Sequence, residues 1–108
     1  MHGRLIIVDD EPVILNLLSS VFADEADLVV VACADGASAV EAMAEGVDVL
    51  LTDKNLPDIG GLELARRARE QGDCEVIVIT GYASLDTALE AMQLDVFDYI
   101  VKPPKDIF

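Results

Sequence analysis

Aromatic residues are scarce in this chain, at 5%, and Trp is absent. Its core must therefore be filled by aliphatic side chains, which a hydrophobic content of 53% supplies. That content sets disorder aside in spite of the charge. Positive charge is equally scarce. Seven Lys and Arg stand against 21 Asp and Glu, a net charge of -14. A surface this acidic repels nucleic-acid phosphates, so direct DNA or RNA binding is disfavoured, and metal cations or basic protein surfaces are better matched. Long apolar runs are missing too. The longest, from Leu28 to Ala34, falls far short of the roughly 20 residues that cross a bilayer. No signal peptide is expected, because Met1-His2-Gly3-Arg4 leads straight into a strand-like run. Cys33 and Cys74 form no C-x-x-C pair and read as reduced thiols of a cytoplasmic protein. A length of 108 residues suits one small domain.

What is present is an alternation of short β-branched runs and helical stretches. Leu5-Ile6-Ile7-Val8 is apolar throughout, as in a strand buried on both faces, and ends on Asp9-Asp10. Pro12 suits the first turn of a helix, in which Ile14, Leu17, Leu18 and Val21 recur at helical spacing. Residues 28–31 form a second strand. Asp35-Gly36 is a turn, and residues 38–45 form a helix with Val40, Met43 and Ala44 on one face. Residues 47–52 form the third strand, which ends on Asp53. Residues 54–61 read as a loop from their Pro, Asp and Gly content. A helix over 62–71 and a strand over 75–80 follow. Ser84 is the expected N-cap of an amphipathic helix carrying Leu85, Ala88, Leu89 and Met92. A fifth strand over 97–101 leads to Lys102-Pro103-Pro104, where the last helix is barely begun. This order predicts an α/β fold with a doubly wound parallel sheet covered on both faces.

In such a sheet, ligands bind beyond the carboxyl ends of the strands. Those ends carry Asp9 and Asp10, then Asp53, Thr80 and Lys102. Three carboxylates held together make sense around a cation. All-oxygen ligation suits Mg²⁺, with Mn²⁺ close behind. No His or Cys stands at these positions, so zinc fits poorly. With Mg²⁺, the Lys102 ammonium and the Thr80 hydroxyl form a clamp for a transferring phosphoryl group. Asp53, alone at the end of the central strand, is the first choice of nucleophile. Taken singly, each feature has a blander reading: Asp9-Asp10-Glu11 as a solvated helix start, Thr80 as a strand end, Lys102 as a surface lysine. Arg66, Arg67 and Arg69 read as a solvated helix face. The matching acids at separate strand ends favour the site.

The segments Val8-Asp9-Asp10-Glu11-Pro12, Leu51-Thr52-Asp53 with Leu56-Pro57-Asp58 and Gly60-Gly61, Ile79-Thr80-Gly81-Tyr82, and Asp98-Tyr99-Ile100-Val101-Lys102-Pro103 occur in that order. On these motifs the chain resembles the receiver domain of two-component response regulators, from about residue 4 to residue 104. Residues 86–92 through Lys102-Pro103 are most similar to receivers of the nitrogen-regulation class. The resemblance implies a three-layer flavodoxin-like fold, with a five-stranded parallel sheet of order 2-1-3-4-5 and the fifth helix largely absent. Residues 1–108 would be a single receiver domain, short at its C-terminus and excised from a longer regulator.

The resemblance further implies that Asp53 accepts a phosphoryl group from a sensor histidine kinase or a histidine phosphotransfer protein. Asp10, Asp53 and the Asn55 backbone carbonyl would ligate Mg²⁺, with Asp9 acting through a bound water. Thr80 and Lys102 would bind phosphoryl oxygens, and Gly81 would leave space beside them. Thr80 and Tyr99 would form the switch, while Asn55 and Tyr82 would tune dephosphorylation. The Lys102-Pro103 bond would be cis. An output domain or effector outside this chain would read the face of the fourth helix and fifth strand, a face through which a homodimer is also open. Asp95 and Val96 depart from the family's usual small residues beside that face. The function implied is a phosphorylation-dependent switch, not a turnover enzyme. The main alternative is a pseudo-receiver that binds partners without phosphate, against which stands the full set of acids and lysine. An aspartyl phosphatase would place an acid where Asn55 stands. In a flavin mononucleotide carrier, Asp9-Asp10-Glu11 would repel the phosphate.

Overall fold

The computed structural model describes residues 3–80 and 98–101. The elements are β1 (Gly3–Val8), α1 (Pro12–Phe22), β2 (Leu28–Cys33), α2 (Gly36–Met43), β3 (Val49–Asp53), α3 (Gly61–Gln71), β4 (Glu75–Thr80) and β5 (Asp98–Val101). The sheet has the order β2-β1-β3-β4-β5, and every neighbouring pair is parallel. This is the doubly wound order expected.

The all-apolar strands are explained by cover on both faces. Ile6 and Val8 of β1, Leu50 of β3, and Val76 and Val78 of β4 pack with Ala39 and Met43 of α2 and Leu64, Ala65 and Ala68 of α3. Their neighbours Leu5, Ile7, Leu51 and Ile79 point the other way, onto Leu15, Leu18 and Phe22 of α1. Successive strand residues alternate between the faces, so a strand covered twice needs apolar side chains at every position.

The buried line of α1 differs from expectation. Ile14 is buried, and Leu15, Leu18 and Phe22 pack on the sheet, but Leu17 and Val21 are exposed, together with Val13. Between Val13 and Leu18 only Asn16 is polar, so spacing alone admits more than one buried face. One residue of offset turns the face by about 100°.

Helix α2 begins at Gly36, earlier than expected, because Asp35 is its N-cap and accepts a hydrogen bond from the Ser38 amide at 2.8 Å. Ala39 takes the buried position, while Ala44, expected to face the core, is the C-cap and lies exposed. Strand β2 extends to Cys33, which pairs with Val8, and β3 includes Asp53 as its last residue. The helix expected after Ser84, the departures at Asp95 and Val96, and the start of a fifth helix lie outside the described residues. Among the described residues no helix is long and apolar enough to cross a membrane.

Candidate functional site

Strand register builds the site. Val8 pairs with Thr52, so Asp9 falls level with Asp53. Asp53 pairs with Ile79, which puts Thr80 one residue beyond it on β4. Thr80 in turn pairs with Val101, the last residue of β5. Parallel strands whose ends coincide deliver these residues to one edge of the sheet.

At that edge Asp9, Asp10 and Asp53 converge, with one carboxylate oxygen from each lying within 4.8 Å of the others. Asp9 is 1% exposed and Asp53 5%, whereas Asp10 faces solvent. Like charges this close repel one another, most strongly where they are buried, and a counter-charge between them removes that cost. The donor set is all carboxylate oxygen, open on the Asp10 side. It fits Mg²⁺, a hard cation that takes one or two carboxylates and keeps several waters.

The local backbone holds these groups in place. The Glu11 amide donates to Asp9 Oδ1 at 2.9 Å, and the Asp9 amide donates to the Cys33 carbonyl at 3.1 Å, which carries the ladder one residue past β1. The Thr52 hydroxyl donates to the Asp53 carbonyl at 2.9 Å. The Lys54 amide donates to the Ile79 carbonyl at 2.8 Å, and the Gly61 amide donates back to the Lys54 carbonyl at 2.9 Å. The loop over 54–60 therefore leaves and returns beside Asp53. A Cβ at Gly61 would lie 2.1 Å from the Asp53 carbonyl oxygen, so only glycine admits this approach.

Among the residues expected at the site, Asp9, Asp10 and Asp53 come together. Asn55 lies exposed on the loop after Asp53. Thr80 ends β4, and Tyr99 pairs with Val78 in β5. Gly81, Tyr82 and Lys102, with its bond to Pro103, lie outside the described residues. Arg66 and Arg67 pair with Glu63 on the exposed face of α3, and Arg69 donates to the Cys74 carbonyl at 2.8 Å, as a solvated helix face would. Burial pushes both the Cys33 and Cys74 thiols up from their ordinary value, which suits inert structural cysteines. Asp58 and Gly61 stand in the sequence only as members of the loop's motif, and no role at the site was expected of either; the cap that Asp58 forms on α2 and the approach of Gly61 to Asp53 come from the fold.

A parallel sheet of this order, with carboxylates gathered at its carboxyl edge, defines a doubly wound domain that handles its ligand at the strand ends. Residues 5–107 match the response regulator receiver domain, and the chain belongs to that family, in which phosphorylation and Mg²⁺ binding in an acidic pocket are features. It is similar to the TorCAD operon transcriptional regulatory protein TorR of Escherichia coli K12, 38% identical over 104 residues that cover 95% of this chain and 45% of TorR. It is also similar to the regulatory protein AtoC of the same strain, 35% identical over 104 residues that cover 94% of this chain and 22% of AtoC. The chain thus spans less than half the length of these relatives. Among solved structures, a response regulator from Burkholderia pseudomallei with a phosphorylated aspartic acid, a calcium ion and citrate superposes with a TM-score of 0.81. It is 25% identical, with 95% of this chain and 61% of that chain covered.

Proposed function

We propose that this domain is a phosphorylation-dependent switch that takes a phosphoryl group onto Asp53 with the help of Mg²⁺. The carrying observation is the meeting of Asp9, Asp10 and Asp53 within 4.8 Å at the sheet edge, with Asp53 buried at the end of the central strand. The phosphorylated aspartate and calcium ion in the Burkholderia relative support the same chemistry. Asp10, Asp53 and the Asn55 carbonyl would hold the metal, with Asp9 reaching it through water. The ion supplies charge neutralisation at the phosphoryl oxygens.

In this reading an Asp53 carboxylate oxygen attacks the phosphorus of a phosphohistidine on a sensor kinase or phosphotransfer protein. The P–O bond forms as the P–N bond breaks, and the electron pair returns to the imidazole nitrogen, which picks up a proton from solvent. Thr80 donates a hydrogen bond to the transferred group, Lys102 balances its charge, and Gly81 leaves it room. Water later attacks the phosphorus, releases inorganic phosphate and restores the carboxylate, at a rate tuned by Asn55 and Tyr82. The domain therefore turns over only its own phosphate and is no enzyme on an external substrate. Thr80 and Tyr99 bias a two-state equilibrium. An output domain or effector outside this chain reads it, and the setting is the cytoplasm.

Incubation with acetyl phosphate and Mg²⁺, followed by intact-mass measurement, tests this. The expected result is a phosphate mass gain that disappears in Asp53→Asn and on chelation. No gain with any small donor would overturn the switch and leave the pseudo-receiver.

A further inference from the structure

The start of α2 is held by two carboxylates from different parts of the chain. Asp35, its own N-cap, accepts from the Ser38 amide at 2.8 Å. Asp58, on the loop that follows Asp53, reaches across with both oxygens: Oδ1 accepts from the Gly36 amide and Oδ2 from the Ala37 amide, each at 2.9 Å. Three of the first amides of a helix, which have no partner inside it, are thus satisfied, and each carboxylate also meets the positive end of the helix dipole. The contact is tight. A Cβ at Gly36 would lie 2.7 Å from the Cβ of Ile59 and 3.2 Å from its carbonyl oxygen.

The same loop is tied at its base, where the Gly61 amide bonds to the Lys54 carbonyl and Gly61 abuts the Asp53 carbonyl. Asn55 lies between the two ties. We propose that Asp58 is a positioning residue: by clasping the first amides of α2 it holds the loop that carries Asn55 in the place where the Asn55 carbonyl can serve the metal beside Asp53. The metal half of this inference rests on the function proposed above. Hydrogen bonds from Gly36, Ala37 and Ile59 hold the Asp58 carboxyl below its ordinary value, so the clasp is a carboxylate near neutral pH.

Asp35 supplies the control, since it caps the same helix end and its side chain bonds to the Ser38 amide and not to the loop. The full chain is compared as wild type, Asp58→Ala, Asp58→Asn and Asp35→Ala. Two readouts are used: amide hydrogen exchange over residues 54–59 in metal-free protein, and Mg²⁺ affinity by titration calorimetry. Asp58→Ala is expected to speed loop exchange and to weaken Mg²⁺ binding roughly tenfold, as removal of a group that orients a metal ligand does. Asp58→Asn, which keeps one acceptor oxygen, recovers part of both and serves if the alanine variant fails to fold. Asp35→Ala lowers the unfolding midpoint but leaves loop exchange and Mg²⁺ affinity within about twofold of wild type, because its hydrogen bond lies within α2. Wild-type exchange and affinity in Asp58→Ala, or an equal loss of both in Asp35→Ala, would overturn the proposal. A wild type that binds no Mg²⁺ would overturn the metal reading and with it the metal half of this one. The exchange contrast would still decide the clasp.

Discussion

At position 61 even a methyl group would sit 2.1 Å from the carbonyl oxygen of Asp53 and 2.9 Å from the Cα of Lys54. Both obstacles are backbone, so either α3 retreats or the Asp53 peptide moves. Gly61→Ala is expected to cost about 2–3 kcal/mol, the upper part of the usual range for overpacking, and to lower labelling by acetyl phosphate at a given fraction folded. Gly60→Ala is the control. Gly60 has ordinary extended backbone angles and only the Lys54 carbonyl oxygen, 3.9 Å from the added atom, so it should stay within about 0.5 kcal/mol of wild type. Urea unfolding of the two variants measures the difference, and equal midpoints would show that α3 moves freely against Asp53.

Helix α1 also presents apolar side chains to solvent. Val13 and Val21 are 65% and 62% exposed, and Leu17 between them 46%. Spaced four residues apart, they line one side of the helix. The helix begins two residues after Asp10, so under the function proposed above a protein donating the phosphoryl group would lie over the edge where this stripe starts. Apolar side chains left in water at such a place suit contact with that donor. The double variant Leu17→Glu, Val21→Glu is expected to slow phosphotransfer about tenfold from any histidine kinase or phosphotransfer protein that labels the wild type. Acetyl phosphate labelling should be unchanged. Parallel losses with both donors would mean that the substitutions damage the site and not the docking. The stripe was hidden in the sequence because α1 is apolar on nearly every side, and only packing on the sheet separates Leu15 and Leu18 from Leu17.

For the whole molecule, the charge divides unevenly. Asp9, Asp10, Glu11 and Asp53 account for only four of 21 acidic residues, so the site explains an acidic edge and not an acidic domain. Two of the other acids respond to folding. Gly36 and Ala37 amides hold the Asp58 carboxyl below its ordinary value, and hydrogen bonds from Arg67 and Arg66 do the same for Glu63. A carboxyl lowered in the folded state contributes stability above its unfolded value and loses it as pH falls through the folded one. The wild type should therefore lose urea resistance between roughly pH 5 and pH 3 more steeply than Asp58→Asn, Glu63→Gln. Both groups are exposed, so the difference is small. Comparing the two proteins cancels their shared self-repulsion, and equal slopes would mean that neither group gains anything on folding.

The alternation of strands and helices, the parallel sheet and the gathering of Asp9, Asp10 and Asp53 were all determined by sequence. Local patterning marks each strand end, and the topology of a doubly wound sheet carries those ends to one edge without any knowledge of side-chain packing. Tertiary structure alone decided which line of α1 is buried, since an apolar segment leaves that choice to the surface it meets. It alone decided that Asp58 caps a helix starting 22 residues earlier in the chain, and that Gly61 touches Asp53. Those contacts join segments through space, and their strength lies in distances that no local pattern of residues encodes.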